Sequence, residues 1–412
     1  MNYSEVSKEL TGILSKAVKK NNGIYFTPPS TIYKNLALLQ PYFTDIKTVL
    51  EPSCGSGEYI LALDKLYPNI DITGIEFNEV IYNSIKNLAS KNIVIKHQDY
   101  LTYSADIGYD LIIGNPPYYV MKKEQVDTIY HPYFDGRPNI FILFIIKSIG
   151  LLNTNGILSF VLPKNFTNCL YYNKTREYIS KKYQILTIEH CNDTYLETGQ
   201  ETIILIIKNQ SNIDNSAFVK QINKYTIFGS KSNLEHLESL YKNYKTLDQM
   251  GFLVNIGTVV WNQCKDILTD NSDETRLIYS SDIKNNQVGL FEFPKFKKKQ
   301  GTNELIPNPK KNYIKKKGIK GPLLIINRGY GVGEYQFNYS LLDIPTRFLI
   351  ENHLMVIKFK NKLPKSILLN LYNKIIKSFK DPRSQAFTEL YFGNNAINTT
   401  ELNHIMPIYQ DI

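Results

Sequence analysis

Thr48-Val-Leu-Glu51-Pro52-Ser53-Cys54-Gly55-Ser56-Gly57-Glu58, running on into Tyr59-Ile-Leu-Ala-Leu63, reads as a short apolar strand that turns through glycines into a helix. Glycines in such a turn let backbone approach a ligand at the carboxyl end of a strand, where doubly wound sheets bind their ligands. Working outward, β-rich runs alternate with helix-like segments. The runs are Thr48–Pro52, Asp71–Phe77, Ile93–Asp99, Asp110–Pro116, Gly156–Pro163, Gln184–Cys191 and Glu201–Asn209. The first five are apolar and bounded by Gly, Pro, Asn or Asp, as buried parallel strands are, with room between the early ones for right-handed crossovers. Only nine residues, Asn192 to Gln200, separate the last two runs, too few for a crossover helix, so these two should pair antiparallel. The expected fold is α/β: a doubly wound, mostly parallel seven-stranded sheet with one antiparallel strand.

Composition bounds the alternatives. The chain has 412 residues, is 43% hydrophobic and 21% charged, and suits two or three globular domains rather than disorder, collagen or a coiled coil. Its longest apolar stretch, Ile140 to Ile146, is broken by Lys147 and falls short of the ~20 residues that span a bilayer. The polar, charged stretch Met1 to Gly23 has no apolar core of a signal peptide. Cys54, Cys169, Cys191 and Cys264 are widely spaced and fit a reducing cytoplasm, while the six histidines show no metal-ligand spacing, so no metal is expected. The formal charge is +10, which invites a polyanion. An AT-rich coding sequence, giving many Lys, Asn, Ile and Tyr, would produce the same bias.

The glycine turn is not a GxGxxG and lacks the Lys-Ser/Thr of a phosphate loop. It offers acidic Glu51 where a pyrophosphate wants N–H donors. A carboxylate there suits a ligand with a positive end, such as the ammonium and sulfonium of S-adenosylmethionine. Glu76 closes the next run, nineteen positions after Gly57, where an acid can accept both hydroxyls of a ribose. Asp99 closes the third and could accept from an adenine amino group, with Phe77 and Tyr100 available to sandwich the ring. Each acid taken alone could equally cap the following helix. Three at successive strand ends point to a nucleoside cofactor.

Asp110-Leu-Ile-Ile-Gly-Asn115-Pro116-Pro117-Tyr118 ends the fourth run. Two prolines remove two N–H donors and stiffen the chain. They leave the Asn115 amide oxygen and the Pro116 carbonyl as fixed acceptors beside the aromatic Tyr118. Such a pair suits an exocyclic amine whose lone pair is delocalised into a ring. Bonded to both N–H groups, it favours a tetrahedral nitrogen and frees the lone pair to attack a methyl sulfonium, an effect that grows as charge develops.

Gly23-Ile-Tyr-Phe-Thr27-Pro28-Pro29, Glu51-Pro-Ser-Cys-Gly-Ser-Gly57, Glu76, Asp99 and Asn115-Pro-Pro-Tyr118 occur in the order of the γ-class (TaqI-type) DNA adenine-N6 methyltransferases, which the chain resembles over roughly residues 20–210. Glutamine methyltransferases acting on release factors and some ribosomal-RNA guanine methyltransferases share the tetrapeptide; the Thr-Pro-Pro segment tips the comparison toward DNA. The resemblance implies the class I S-adenosylmethionine-dependent fold. It implies Thr27 at the methionine carboxylate, Glu51 with Ser53, Cys54 and Gly55 along the methionine moiety, Glu76 at the ribose and Asp99 at the cofactor adenine. A second aromatic would stack on the flipped target adenine opposite Tyr118. Counting back from Thr202, its place falls on Tyr195, with Tyr183 and the pair Tyr171–Tyr172 as nearby alternatives.

A base inside a duplex must be extruded to be methylated, so another part must hold double-stranded DNA. Residues 1–225 are expected to form the catalytic domain, 226–244 a connection, and 245–412 an α+β DNA-recognition domain. Residues 284–320 hold eleven Lys and two Glu, a net +9 that is nearly the whole excess charge. Lys297, Lys298 and Lys299, with Lys315, Lys316 and Lys317, are candidate phosphate contacts, although a charge run is as often a solvated loop. Arg328, beside Gly329 and Gly331, is a candidate groove contact or a plain surface arginine. The chain is expected to be a monomeric modification enzyme, cytoplasmic and without a membrane segment, whose restriction endonuclease, if any, is a separate protein. A catalytically silent DNA-binding subunit with the same fold is the competing reading.

Overall fold

The computed structural model of the chain describes all residues except 1–2, 192, 194, 196–199, 290–295, 299–304, 308–309, 329–336 and 393–396, with backbone alone at 296–298 and 305–307. Two compact units divide it, Met1–Leu234 and Glu235–Ile412.

The first unit is built on a seven-stranded sheet. Its strands are β1 (Thr48–Glu51), β2 (Asp71–Glu76), β3 (Ile93–His97), β4 (Tyr109–Gly114), β5 (Leu152–Pro163), β6 (Gln184–Cys191) and β7 (Thr202–Lys208). They lie in the order β3-β2-β1-β4-β5-β7-β6, parallel except for β7, which runs antiparallel to both β5 and β6. The apolar runs explain the layering, because successive side chains of a strand point to opposite faces. Leu50, Ile112, Leu158, Phe160, Ile203 and Leu205 enter one core, against Phe141 and Phe144. Val49, Leu111, Ile113, Ile157, Ile204 and Ile206 enter the other, against Ile32, Leu36, Ile60 and Leu63. A sheet covered on both faces needs such uninterrupted apolar strands, and Ile203 to Ile207 are all at most 1% exposed.

The covering helices include α1 (Glu5–Ile13), α2 (Lys16–Asn22), α3 (Pro29–Leu39), α4 (Glu58–Leu66), α5 (Glu79–Ile85), α6 (Ile140–Gly150) and α7 (Asn173–Lys182). The Ile140–Ile146 stretch forms most of α6, which is apolar on every side and buried in the first core. Among the described residues no helix is long and apolar enough to cross a membrane.

Two details differ from the sequence expectation. β5 begins at Leu152 rather than Gly156, with Asn155 at positive φ (65°) within it. Beyond the loop at Ser211–Ser216, a hairpin of β8 (Val219–Ile222) and β9 (Tyr225–Phe228) precedes α8 (Lys231–Leu240), and the division between units falls within that helix. The hairpin is tied down by Arg176 of α7, whose buried Nε donates to the Thr226 carbonyl at 2.6 Å.

In the second unit Phe252–Ile256, Leu354–Phe359, Leu323–Asn327 and Tyr339–Leu342 form one antiparallel sheet in that order. Leu268–Thr269, Tyr313–Ile314, Thr275–Ile278 and Phe348–Ile350 form another, whose last pair is parallel. The helix α9 (Lys365–Lys380) buries Tyr372, Ile375 and Phe379.

Candidate active site

The order of strands reverses between β1 and β4, and ligands of open α/β sheets sit at that switch point beyond the carboxyl ends. Both decisive sequence segments leave the sheet there. After β1 the chain turns through Gly55 (φ 51°) and Gly57 (φ 78°), and Gly57 starts α4. A Cβ on Gly57 would lie 2.6 Å from the Leu88 Cδ1, so this glycine serves both the turn and close packing. The Cys54 N–H donates to the Ile75 carbonyl at 2.9 Å, while the thiol is buried in the second core with its pKa pushed up, first by burial and then by Glu51 and Glu76. Cys54 and Gly57 therefore build the turn; Ser53 and Gly55 reach the cavity.

Glu76, at the end of β2, fastens this loop. One carboxylate oxygen accepts from the Gly55 N–H at 2.9 Å and the other from the Asn78 N–H at 2.7 Å. Burial raises its pKa in spite of these hydrogen bonds. Glu51 is 3% exposed, and its Oε2 has no hydrogen-bond partner. Its pKa is pushed well above the ordinary carboxylate range by burial, then by the charges of Glu76 and Glu58. A buried carboxylate oxygen without a donor is costly unless a ligand supplies one, and a cation would do so best.

Asp99 stands two residues beyond β3 and caps the turn Tyr100–Thr102, accepting from the Leu101 N–H at 2.8 Å. Capping and cavity lining thus coexist in one side chain. Phe77 is 68% exposed at the lip, whereas Tyr100 is 1% exposed, its hydroxyl 2.7 Å from the Ser148 Oγ. One ring of the expected sandwich is an open face and the other a rigid wall.

Asn115 follows β4 directly. Its Nδ2 donates to the Tyr25 carbonyl at 3.3 Å, fixing which end of the amide is oxygen, and its own carbonyl accepts from the Ser53 Oγ at 3.2 Å. The Tyr118 hydroxyl lies 2.5 Å from the Asn115 Oδ1 and 2.8 Å from the Val161 carbonyl, with one proton to share between them. The amide oxygen keeps a second lone pair. Tyr118 sits edge-on to Phe141, centroids 5.9 Å apart, and its pKa is raised by burial and then by the nearby Tyr195 and Tyr59. Pro117 lines the cavity; Pro116 is buried.

One cavity thus gathers Ser53, Gly55, Glu76, Phe77, Asp99, Tyr100, Asn115 and Pro117. Thr27, Glu51, Pro116, Tyr118 and Tyr195 stand outside its lining. Thr27 is buried just before α3, and its neighbours Tyr25 and Phe26 line the cavity instead. Tyr195 is 4% exposed with its hydroxyl unpartnered, close to Tyr118 rather than on an open face; of the alternatives, Tyr171 is 58% exposed and Tyr172 packs against Phe141. Sequence reasoning missed Tyr25, Phe26, Tyr119, Met121 and Phe144. Tyr25 lay within the quoted Gly23–Pro29 segment, but its contribution is a backbone carbonyl, which no side-chain pattern reveals.

In the second unit Lys315, Lys316 and Lys317 are exposed beyond the strand Tyr313–Ile314. Arg328 is half-buried after Leu323–Asn327, its N–H donating to the His353 carbonyl at 3.3 Å. Lys297 and Lys298 belong to the strand Phe296–Lys298, of whose side chains nothing is described, and Lys299 lies outside the described residues.

Residues 31–196 match the family model of the Eco57I restriction-modification methylases. The chain is 27% identical over 421 residues to the type II methyltransferase M.CvrRI of Paramecium bursaria Chlorella virus XZ-6E, covering 99% of both proteins. It is 26% identical over 364 residues to the modification methylase CviBIII of Paramecium bursaria Chlorella virus NC1A, covering 86% of this chain and 88% of that one. A solved structure, the cryoEM DrdV–DNA complex, shares the fold at a TM-score of 0.52 and 11% identity, covering 98% of this chain and 57% of that one. The resemblance read from the motifs stands at the level of restriction–modification methylases.

Proposed function

We propose that this protein is a site-specific DNA methyltransferase that transfers a methyl group from S-adenosylmethionine to the exocyclic N6 amine of an extrahelical adenine. The observation carrying this reading is Asn115, held between Tyr25 and Tyr118, on the wall of the same cavity as Glu76 and Asp99. The residues fit the cofactor: Glu51 is a buried acid lacking a donor, and Glu76 and Asp99 offer acceptors to a ribose and an adenine amine. When bound, S-adenosylmethionine supplies an electrophilic methyl group.

The chain's own groups prepare the amine. The free lone pair of the Asn115 Oδ1 and the Pro116 carbonyl accept its two N–H bonds. That draws the nitrogen toward tetrahedral geometry and stabilises the positive charge that develops there. Because Tyr25 and Tyr118 already orient the amide, little reorganisation is needed during reaction. Tyr118 offers a ring to the extruded base, with Tyr195 close by. The second unit, with its exposed lysines, holds the duplex, and a restriction endonuclease would be a separate protein.

Labelled S-adenosylmethionine offered with duplex DNA, structured RNA and a release factor tests the reading. Label in N6-methyladenine of duplex DNA is expected. Transfer only to RNA or protein, or no cofactor binding, would overturn it.

A further inference from the structure

A cavity of about 640 Å3, within the range that accepts nucleotide-sized ligands, lies in the Glu235–Ile412 unit and takes part in none of the chemistry above. Arg276, in the strand Thr275–Ile278, lines it between Tyr313 and Phe348 of the neighbouring strands. Its Nε and Nη2 are buried without a hydrogen-bond partner, and no described residue pairs with the guanidinium. These two nitrogens form the edge of the fork that grips two oxygens of one anion.

Among the described residues no carboxylate lines the cavity. Asp343, between the lining residues Leu342 and Ile344, is held by Lys365 at 2.8 Å, and Asp282 is held by Lys310. Of the remaining polar groups, Asn285, Asn286, Gln287, Tyr339 and Ser340 can each donate as well as accept. Lys380, exposed at the end of α9, adds a second positive charge. Asn285 and Asn286 form a tight turn with φ of 50° and 60°. The Asn286 Oδ1 is occupied by the Tyr339 N–H at 3.0 Å, which leaves its amide N–H groups over. A guanidinium with two nitrogens withdrawn from water, and no counter-charge among the described residues, is a site completed by an anion.

We propose that this cavity binds a phosphate group, with Arg276 as principal donor and Lys380 adding charge. On the DNA-modifying reading, which decides only the source, the group is a backbone diester; a free nucleotide would supply the same chemistry as a monoester.

The full-length protein and its R276Q, R276K and K380Q variants are titrated with inorganic phosphate, adenosine 5′-monophosphate and duplex DNA at a series of salt concentrations. Melting is followed with and without phosphate. R276Q should weaken binding about tenfold and lower the salt slope for DNA by about one, with R276K keeping the slope. Without ligand it should melt at or above the wild-type temperature, since it removes a half-buried charge that no described residue pairs. Loss confined to DNA assigns the diester, and loss of monophosphate binding assigns the monoester. Binding and slope unchanged in R276Q would overturn the site, as would a lowered melting temperature with phosphate stabilisation intact. Wild-type methylation of RNA instead of DNA would overturn the function proposed above while leaving an Arg276-dependent phosphate response standing.

Discussion

Gly23→Ala tests how the tetrapeptide is held, although Gly23 carries no side chain to donate or accept. Gly23 closes α2 at φ 62°, and a Cβ there would lie 2.5 Å from the Tyr118 nitrogen and 2.9 Å from its carbonyl carbon. Both are backbone atoms, so no rotamer change relieves the clash. A non-glycine residue in the left-handed region costs ~1–2 kcal/mol and overpacking ~1–3, together roughly 2–5 kcal/mol. For a unit of this size that lowers the melting temperature by roughly 4–20 °C. Reaching ordinary contact requires a shift of about 1 Å in Tyr118, which also moves the hydroxyl beside the Asn115 Oδ1. A displacement of that size typically costs about a hundredfold in rate. The assay is single-turnover methyl transfer on duplex DNA alongside a melting curve. A folded G23A protein with wild-type melting and wild-type rate would refute the reasoning.

Asn115→Ala should lower kcat by ~10²–10³, as loss of a transition-state hydrogen-bonding group does, with cofactor affinity close to normal in a direct titration. Tyr118→Phe, which removes only the hydroxyl on the Asn115 Oδ1, should cost about five- to tenfold, the worth of one ordinary hydrogen bond. Glu51 has a pKa raised in the folded state, so the folded protein binds the extra proton and stability falls as pH rises above the ordinary glutamate value of 4.5. Glu51→Gln should therefore flatten the fall in melting temperature with pH for the cofactor-free protein, raise it at neutral pH, and weaken S-adenosylmethionine binding. Melting curves across pH, with and without cofactor, check all three. Replacing Lys315, Lys316 and Lys317 by Gln should reduce the salt slope of DNA binding by as much as ~3, measured by fluorescence anisotropy, if each meets a phosphate.

The sheet was legible because its strands are β-rich segments of four or more residues, the central ones largely apolar, bounded by Gly, Pro, Asn and Asp. The short Asn192–Gln200 connection also forces β6 and β7 to run in opposite directions. The cavity acids were legible because strand ends are where such folds bind. Other features rest on geometry that spacing does not encode. Tyr25 acts through its carbonyl, and the missing donor at Glu51 is a property of the packed site. Tyr195 was placed by counting, and the packed structure buries it near Tyr118 rather than leaving it on an open face. The second unit was opaque in detail because many of its strands are two to four residues long. Its partners are also remote, as when Thr275–Ile278 pairs with Phe348–Ile350. Arg276 was one basic residue among many until the described lining of its cavity proved to hold no acid.

The slot between β5 and β6 is filled by the strand made after both of them. In a nascent chain released only as far as Cys191, β5 has an unpaired outer edge and β6 has no partner strand, and the stretch that joins them, Thr202 to Lys208, emerges later. Until then those open rims can recruit any extended peptide nearby, so a message interrupted in this interval yields a sticky fragment instead of a smaller working enzyme.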